Sequence, residues 1–315
     1  MEFLYFLEKL RVPVLNELML LITHLGEETA FLAIAIIIFW CVDKYQGYYM
    51  MGVGLFGNMA NQFLKILCRI PRPWVRDPNF HALEAAIPEA GGYSFPSGHS
   101  QTAVGTFGCI AATQKNRIIR GVCIAFMILV PFSRMYVGVH TPADVLVGSG
   151  MALLMVFAFK PLMLGKGKKN IPVVFAVLLA LSIANVFLAE CVLAELKMMS
   201  SNHGTENLVS FAKNAYTFLG CFAGILIVWF ADEKKLHFTN DAVWWAQILK
   251  AVLGLGVVLA VKEGTRDLLE MILPVYPARA VRYLLVVVTA GILWPLTFRW
   301  FSRLGRKNNE CSERD

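Results

Sequence analysis

Charged residues are scarce in this chain of 315 residues, where Asp, Glu, Lys and Arg together make up 16% of the sequence. Hydrophobic residues make up 57%, and the mean hydropathy is +0.59. Soluble domains carry about a quarter charged residues, because their surfaces must be hydrated. The composition therefore excludes a soluble domain and predicts an all-α, polytopic integral-membrane protein.

Cysteine pairs with metal-binding or redox spacing are also missing. The seven cysteines are scattered, mostly inside apolar runs, and no Cys-x-x-Cys occurs. A free cysteine in such a run acts as a small hydrophobic residue. No group of Asp, Glu and His has the sequence spacing of metal ligands either. The sequence therefore predicts chemistry without a metal or a cofactor.

Long apolar runs are plentiful. A bundle of about nine transmembrane helices is predicted, because that many windows could cross about 30 Å of hydrocarbon. The windows are 27–43, 47–67, 99–114, 118–137, 142–163, 171–196, 207–231, 243–262 and 280–301. The stretch 1–26 precedes them, and its charges interrupt an amphipathic pattern. It is expected to be an interfacial helix, and not a signal peptide, since it lacks a positive n-region and a cleavage site.

Basic residues outnumber acidic ones, giving a formal net charge of +7, and they concentrate in four segments. Counting the predicted spans places all four segments on one side of the membrane. They contain Lys115, Arg117 and Arg120; Lys160, Lys166, Lys168 and Lys169; Lys234 and Lys235; and Arg299, Arg303, Arg306 and Lys307. By the positive-inside rule that side is cytoplasmic. The charge therefore indicates topology and anionic lipids rather than nucleic acid.

Three cations stand in stretches that predict a phosphate site. Lys65 lies seven residues before Arg72-Pro73, and Arg134 follows Ser133. Arg forks and a Lys charge hold phosphate oxygens more tightly as phosphorus becomes five-coordinate. A lone Arg at a span end is more often a snorkelling residue that meets headgroups. Three cations at fixed distances from two histidines favour the phosphate site.

The stretch Pro96-Ser97-Gly98-His99 has the composition of a helix start. Ser97 is a capping residue, Gly98 permits close backbone approach, and the free N–H groups of a first turn point at an anion. A Pro-Ser-Gly turn alone is ordinary loop chemistry. Its weight comes from His99, which would stand beside any phosphate bound there.

His140 and Asp144 stand four residues apart. At that spacing a carboxylate meets the imidazole, fixes its tautomer, and leaves the other ring nitrogen aimed outward as a nucleophile. An isolated pair of this kind is more often structural. Pro142 between them indicates that they flank a helix start. Counting spans brings this pair and the other stretches to the extracytoplasmic surface.

These stretches together match the three-part signature of a known family without gaps. The chain resembles the type 2 phosphatidic acid phosphatase, or lipid phosphate phosphatase, superfamily, which also contains vanadium haloperoxidases. The resemblance covers roughly residues 47–163 and implies a membrane-bound phosphatase without a cofactor. The haloperoxidase branch is soluble and binds vanadate, so the apolar chain argues against it.

The resemblance also implies a role for each matched residue. His140 would attack phosphorus to give a phosphohistidine, held by Asp144, and His99 would protonate the leaving oxygen and then activate water. The phosphoryl oxygens would be held by Lys65, Arg72, Ser97, Gly98 and Arg134. The substrate would be polyprenyl diphosphate, phosphatidylglycerol phosphate, phosphatidic acid or a sphingoid-base phosphate, among which the sequence does not choose.

A membrane lipid transporter or flippase with a phosphate-binding site is the alternative. Nine spans exceed what the phosphatase chemistry requires, and Lys250 falls inside an apolar segment. The enzyme is favoured, because the ionisable cluster lies at one surface instead of deep in the bilayer.

The expected organisation has four parts. An interfacial helix, 1–26, precedes a catalytic membrane core, 27–163; additional transmembrane helices, 171–301, precede a cytoplasmic tail, 302–315. The additional helices match no family that the residues identify, and we hypothesise that they shape access of the lipid tail or form a homodimer contact. The expected location is the plasma membrane of a bacterium, with the site facing outward.

Overall fold

The computed structural model describes the backbone of residues 1–199 and 205–304, and the side chains of residues 1–194 and 206–304. Within these ranges the chain is helical and contains no β-strand. Its α-helices are α1 Glu2–Lys9, α2 Pro13–His24, α3 Glu28–Cys41, α4 Lys44–Cys68, α5 Pro73–Arg76, α6 Gly98–Thr113, α7 Arg117–Tyr136, α8 Pro142–Met163, α9 Ile171–Met199, α10 Thr205–Ala231, α11 Trp244–Gly264, α12 Arg266–Ile272, α13 Val275–Val288 and α14 Phe298–Arg303. Arg306, Lys307 and the tail beyond residue 304 lie outside the described residues.

The all-α membrane bundle is confirmed, whereas the count of nine spans is not. Six helical segments of the described chain are long and apolar enough to cross a membrane, and α2 with α3, bent by 51°, would make a seventh. The six are Arg117–Tyr136, Pro142–Met163, Gly165–Ala194, Glu206–Leu236, Trp244–Ile272 and Val275–Arg303. Two predicted spans, 47–67 and 99–114, correspond to α4 and α6, which do not pass this test.

Helices α4 and α6 are polar because they lie inside the bundle. Every residue of α6 from Ser100 to Cys109 is buried, and the helix contacts α3, α4, α7 and α8. Its Thr102 hydroxyl donates to Asn58 Oδ1 of α4 at 3.1 Å. Gly57 lets the two helices approach, since a Cβ there would overlap the Gln101 side chain. Side chains that pair inside a bundle need not be apolar, so hydropathy underrates such helices.

One aromatic and aliphatic core joins the two halves of the chain. Trp40 of α3 is fully buried and donates from Nε1 to the carbonyl oxygen of Ala290 at 2.8 Å. Tyr48 of α4 makes edge contacts with Phe175 of α9 and Trp229 of α10. Lipid is as apolar as these side chains, so close packing holds the helices together. The helices after residue 171 therefore pack directly onto the first half.

The N-terminal stretch forms two helices instead of the single one expected over 1–26. Pro13 occupies the first turn of α2 and cannot continue α1, because proline lacks the N–H that a helix interior requires. Met19 of α2 is buried against Tyr136 and Val139. The second helix thus packs against the end of α7, close to the polar stretches.

Candidate functional site

The polar stretches predicted from the sequence meet at one end of the bundle. Arg72 contacts His140, and the Ser97 amide donates to the Asp144 carbonyl oxygen at 3.0 Å. Arg134 lies at the same end of α7, and all five side chains are at most 5% exposed. Such a concentration of charge in a helix bundle is costly, and it therefore marks a candidate functional site.

Arg72 precedes α5 and is held by the backbone of two loops. Its Nε donates to the carbonyl oxygen of Gly92 at 3.0 Å, and its Nη2 donates to that of Gly91 at 2.7 Å. Its Nη1 donates to the carbonyl oxygen of Val139 at 3.0 Å and lies 2.9 Å from His140 Nε2. Burial lowers the pKa of Arg72 to about 10, so the guanidinium stays charged near neutral pH.

His140 lies in the loop between α7 and α8, and its tautomer follows from its neighbours. A guanidinium can only donate, so the ring nitrogen facing Arg72, Nε2, must accept and therefore carries a lone pair. In the neutral ring the proton then resides on Nδ1, on the side of Asp144. Burial, and next the charge of Arg72, lower the pKa of His140 well below its usual value. The imidazole is therefore neutral and has a lone pair on Nε2.

Asp144 orients this loop while capping α8. Its Oδ2 accepts from the Ser94 hydroxyl at 2.5 Å and from the Thr141 amide at 2.8 Å, and lies 3.5 Å from His140 Nδ1. The last distance is longer than a hydrogen bond. His140 stands before the helix, which begins at Pro142, so the pair flanks a helix start as that proline indicated. Ser94 was missed, because a serine in a loop carries no sequence signal of this contact.

Ser97 caps α6 and Gly98 begins it, as the sequence predicts. The Ser97 hydroxyl accepts weakly from the Ser100 amide at 3.4 Å and from the Ser100 hydroxyl at 2.9 Å. Gly148 of α8 passes so close that a Cβ there would lie 2.5 Å from the Ser97 carbonyl oxygen. His99 stands in the first turn, and its buried Nε2 has no hydrogen-bond partner among the described side chains and backbone.

Arg134 is fully buried and is positioned by an element that the sequence did not connect with it. Its Nη1 donates to the Thr23 hydroxyl of α2 at 2.7 Å, and Thr23 is also fully buried. Its Nε and Nη2 have no partner within the described part of the chain. These N–H groups and His99 Nε2 are the kind of groups that a phosphoryl oxygen or a leaving oxygen satisfies.

Lys65 lies in the last turn of α4, half-buried at the edge of this group. Its Nζ donates to the carbonyl oxygen of Tyr93 at 2.8 Å. It lies close enough to Arg72, Arg134 and Asp144 to interact with their charges. The eight predicted site residues thus belong to one end of the molecule, and their individual roles stay predictions.

His24, Glu27 and Glu89 form the one group within the described ranges whose ligand atoms, all within 4.8 Å, could hold a metal. His24 Nδ1 lies 2.5 Å from Glu27 Oε1 and 3.6 Å from Glu89 Oε1. The sequence did not reveal this group, because Glu89 belongs to a distant loop. These side chains are partly exposed and pair with one another, and the metal-free chemistry stays a prediction.

Comparisons with known proteins match both halves of the chain. The family model described as PAP2 superfamily matches residues 45–168, and the one described as PAP2 superfamily phosphatase, transmembrane extension, matches residues 216–307. The second match names helices that the sequence resemblance did not reach.

Two curated relatives from Bacillus subtilis (strain 168) each match nearly half of the chain. Phosphatidylglycerophosphatase B is 31% identical, over 48% of this chain and 76% of the relative. Undecaprenyl-diphosphatase BcrC is 33% identical, over 46% of this chain and 74% of the relative. A crystal structure of a transmembrane PAP2 type phosphatidylglycerolphosphate phosphatase from Bacillus subtilis is 31% identical, over 48% of this chain and 77% of that one, with a TM-score of 0.42.

Proposed function

The chain belongs to the PAP2 superfamily, and we propose that it hydrolyses a lipid phosphate or diphosphate through a phosphohistidine formed on His140. The observation that carries the proposal is the contact between Arg72 Nη1 and His140 Nε2 at 2.9 Å. It places a neutral, lone-pair-bearing imidazole nitrogen beside a buried cation. A phosphoryl group needs that combination of a nucleophile and a charge that binds its oxygens.

In the first step His140 Nε2 attacks phosphorus, forming an N–P bond as the bond from phosphorus to the leaving oxygen breaks. Arg72 then donates to a phosphoryl oxygen in place of Nε2. His99, protonated when the negative charge of the bound phosphate offsets the nearby cations, gives its proton to the leaving oxygen, and Asp144 stabilises the positive charge that develops on His140. Lys65 and Arg134 bind the equatorial oxygens, whose charge is greatest in the transition state.

In the second step water displaces His140 from phosphorus. Neutral His99 takes a proton from the water as its oxygen attacks, the N–P bond breaks, and inorganic phosphate leaves. His140 returns to its neutral form, and His99 is again protonated for the next cycle. The two reaction steps together balance protons without a metal.

The substrate class comes from the relatives and from the chemistry of the site. One relative is named a phosphatidylglycerophosphatase and another an undecaprenyl-diphosphatase. Both names describe a lipid that ends in a phosphate. Phosphatidic acid and sphingoid-base phosphate offer the same terminal group, so all four lipids belong in the test.

Lys250 was one of the two grounds for the transporter alternative, beside the number of spans, and the contacts of this residue favour a packing role. Its buried side chain lies over the Phe298 ring at 4.3 Å, and its Nζ lies 3.4 Å from the carbonyl oxygen of Asn240. Aromatic and carbonyl contacts satisfy a buried ammonium group. They do not place Lys250 in the polar site.

We also propose that the site faces outward from the plasma membrane of a bacterium. The basic segments near Lys115, Lys166 and Lys234 follow helices that run away from the site, and the positive-inside rule assigns that end to the cytoplasm. In a background without the seven native cysteines, Glu84→Cys should react with a membrane-impermeant thiol reagent from outside. Labelling from the cytoplasmic side alone would reverse the orientation.

Release of inorganic phosphate from the four lipids, by the purified full-length protein in detergent, tests the activity. The wild-type protein should release phosphate from at least one lipid, whereas His140→Ala should release none above background. Equal release by the two proteins would show that His140 is not the nucleophile. No release by the wild-type protein from any of the four lipids would reject the proposed function.

A further inference from the structure

A cavity of about 250 Å³ opens beside the proposed phosphate site. Lys65 and Gln62 of α4 form one wall, and Gly91 and Gly92 of the loop before α6 form another. The third wall comes from α10, which belongs to the second half of the chain, and consists of Glu206, Asn207 and Ser210.

The cavity and the phosphate site share structural parts. Lys65 lines the cavity and interacts with the charges of Arg72 and Asp144. The carbonyl oxygens of Gly91 and Gly92 accept from the guanidinium of Arg72, which in turn contacts the proposed nucleophile. A substrate whose phosphate lies between these cations can therefore extend its neighbouring atoms into the cavity.

The α10 wall touches the loop that holds Arg72. Gly92 has a φ of +75°, and a Cβ on it would lie 3.4 Å from Asn207 Oδ1. Only glycine adopts this backbone conformation at low cost. A change at Gly92 would therefore affect both the Arg72 contact and the fit of Asn207, which ties the second half of the chain to the site.

The lining of the cavity decides which part of a lipid it accepts. Its apolar side-chain surface comes from Ile66 and the Tyr93 ring, and its other side chains offer amide, hydroxyl, carboxylate and ammonium groups. An acyl or prenyl chain would leave these polar groups unsatisfied, which is costly. The cavity volume of about 250 Å³ is several times the roughly 30 Å³ that one water molecule occupies in the liquid. A small polyhydroxy group such as glycerol therefore fits in size and in chemistry.

Glu206 makes the cavity selective. Its carboxylate accepts hydrogen bonds from hydroxyl groups but repels a second phosphate, because like charges disfavour each other at short range. Lys65 offsets this repulsion in part, yet it also serves the first phosphate. The cavity therefore suits a monoester whose leaving alcohol carries a free hydroxyl better than a diphosphate.

We propose that this cavity binds the hydroxyl-bearing glycerol of the leaving alcohol, and that Glu206 makes the protein prefer such a phosphomonoester over a diphosphate. The inference rests on the proposed phosphatase function. Phosphatidylglycerol phosphate has this free hydroxyl. Its second phosphate, a diester, lies beyond this glycerol. Phosphatidic acid has an acyl ester in place of the free hydroxyl, and a polyprenyl diphosphate has its second phosphate directly next to the first.

The test compares kcat/KM of the full-length protein on these three lipids and on p-nitrophenyl phosphate, whose leaving group carries no additional hydroxyl for the cavity to bind. Glu206→Gln should lower the preference for phosphatidylglycerol phosphate over polyprenyl diphosphate by about tenfold, because it removes both a charged acceptor and a repulsion. Asn207→Leu should lower kcat/KM for phosphatidylglycerol phosphate about fivefold, the usual effect of one neutral hydrogen bond.

Glu84→Gln is the matched control, because it removes the same negative charge at the same end of the molecule. Glu84 is exposed and does not line the cavity. It should leave the preference unchanged. An unchanged preference in Glu206→Gln, or an equal loss on all four substrates, would overturn the cavity assignment. A wild-type protein inactive on every ester would instead overturn the proposed function.

Discussion

Arg72 Nη1 lies 2.9 Å from His140 Nε2, so the cation that would bind the phosphate also fixes which nitrogen of the histidine has the lone pair. Arginine stays charged over the whole physiological range, so its donor role does not change with pH. The arrangement keeps the proposed nucleophile neutral and aimed at the anion site before any substrate arrives.

The roles of the two histidines are separable by trapping. His140→Ala should abolish turnover and the acid-labile phosphoenzyme, because the N–P bond cannot form. His99→Ala should slow turnover by about two to four powers of ten, the usual effect of losing a general acid. It should still form the phosphoenzyme with p-nitrophenyl phosphate, whose leaving group needs no proton. Acid-labile phosphate trapped by His140→Ala, but not by His99→Ala, would mean that the roles are reversed.

Asp144→Asn should reduce kcat by about two to four powers of ten, comparable with the loss of a group that supports acid–base chemistry. The amide leaves the carboxyl position filled but stabilises neither the Nδ1–H tautomer nor the charged ring. Ser94→Ala is the control, because it removes one hydrogen bond to Asp144 and keeps the carboxylate. It should reduce kcat much less. Equal losses in the two variants, each measured by stopped assays, would assign Asp144 a structural role.

The pH profile of kcat/KM should have an acid limb below the ordinary histidine pKa of 6.5. Burial and the charge of Arg72 lower the pKa of His140, so the ring stays neutral, and nucleophilic, until the pH falls below the lowered pKa. The same shift means that the unfolded state binds a proton below pH 6.5 before the folded state does. The free energy of unfolding should therefore fall as the pH decreases through that value. An acid limb above 6.5 contradicts a buried neutral His140.

Thr23→Val should raise KM for p-nitrophenyl phosphate about tenfold, because Arg134 loses the acceptor that orients its guanidinium. Valine has nearly the same shape, so the packing of α2 should change little. Thr23→Ser keeps the acceptor and should restore KM. A fall in melting temperature without a change in KM, or a failure of serine to restore KM, would leave α2 with only a packing role.

Hydrolysis should continue in EDTA, since the positive charge of the proposed mechanism comes from arginine and lysine side chains. The relevant control is Glu89→Gln, which removes a carboxylate from the group formed with His24 and Glu27. It should leave activity in EDTA unchanged. A different result would identify this group as a functional metal site. The wild-type protein would lose activity in chelator and regain it with Mg²⁺, whereas the activity of Glu89→Gln would no longer respond to Mg²⁺.

Local patterns explain how much of the protein could be predicted from its sequence. The start of α6 at Gly98 and of α8 at Pro142 follows from capping residues and proline within a few positions. The break between α1 and α2 follows equally from Pro13, and the expectation of a single helix gave that residue too little weight. The count of nine spans is not confirmed, because it included α4 and α6, which are too polar or too short to pass the test for a membrane-crossing helix.

The sequence by itself determined the membrane-embedded helical architecture and the eight candidate site residues, because both depend on run lengths and spacings along the chain. Tertiary structure decided that Thr23 binds Arg134, that Ser94 binds Asp144, and that α10 lines a cavity beside Lys65. These partners are 111, 50 and more than 100 residues apart. No local periodicity encodes such contacts, because they depend on which faces of distant helices pack together.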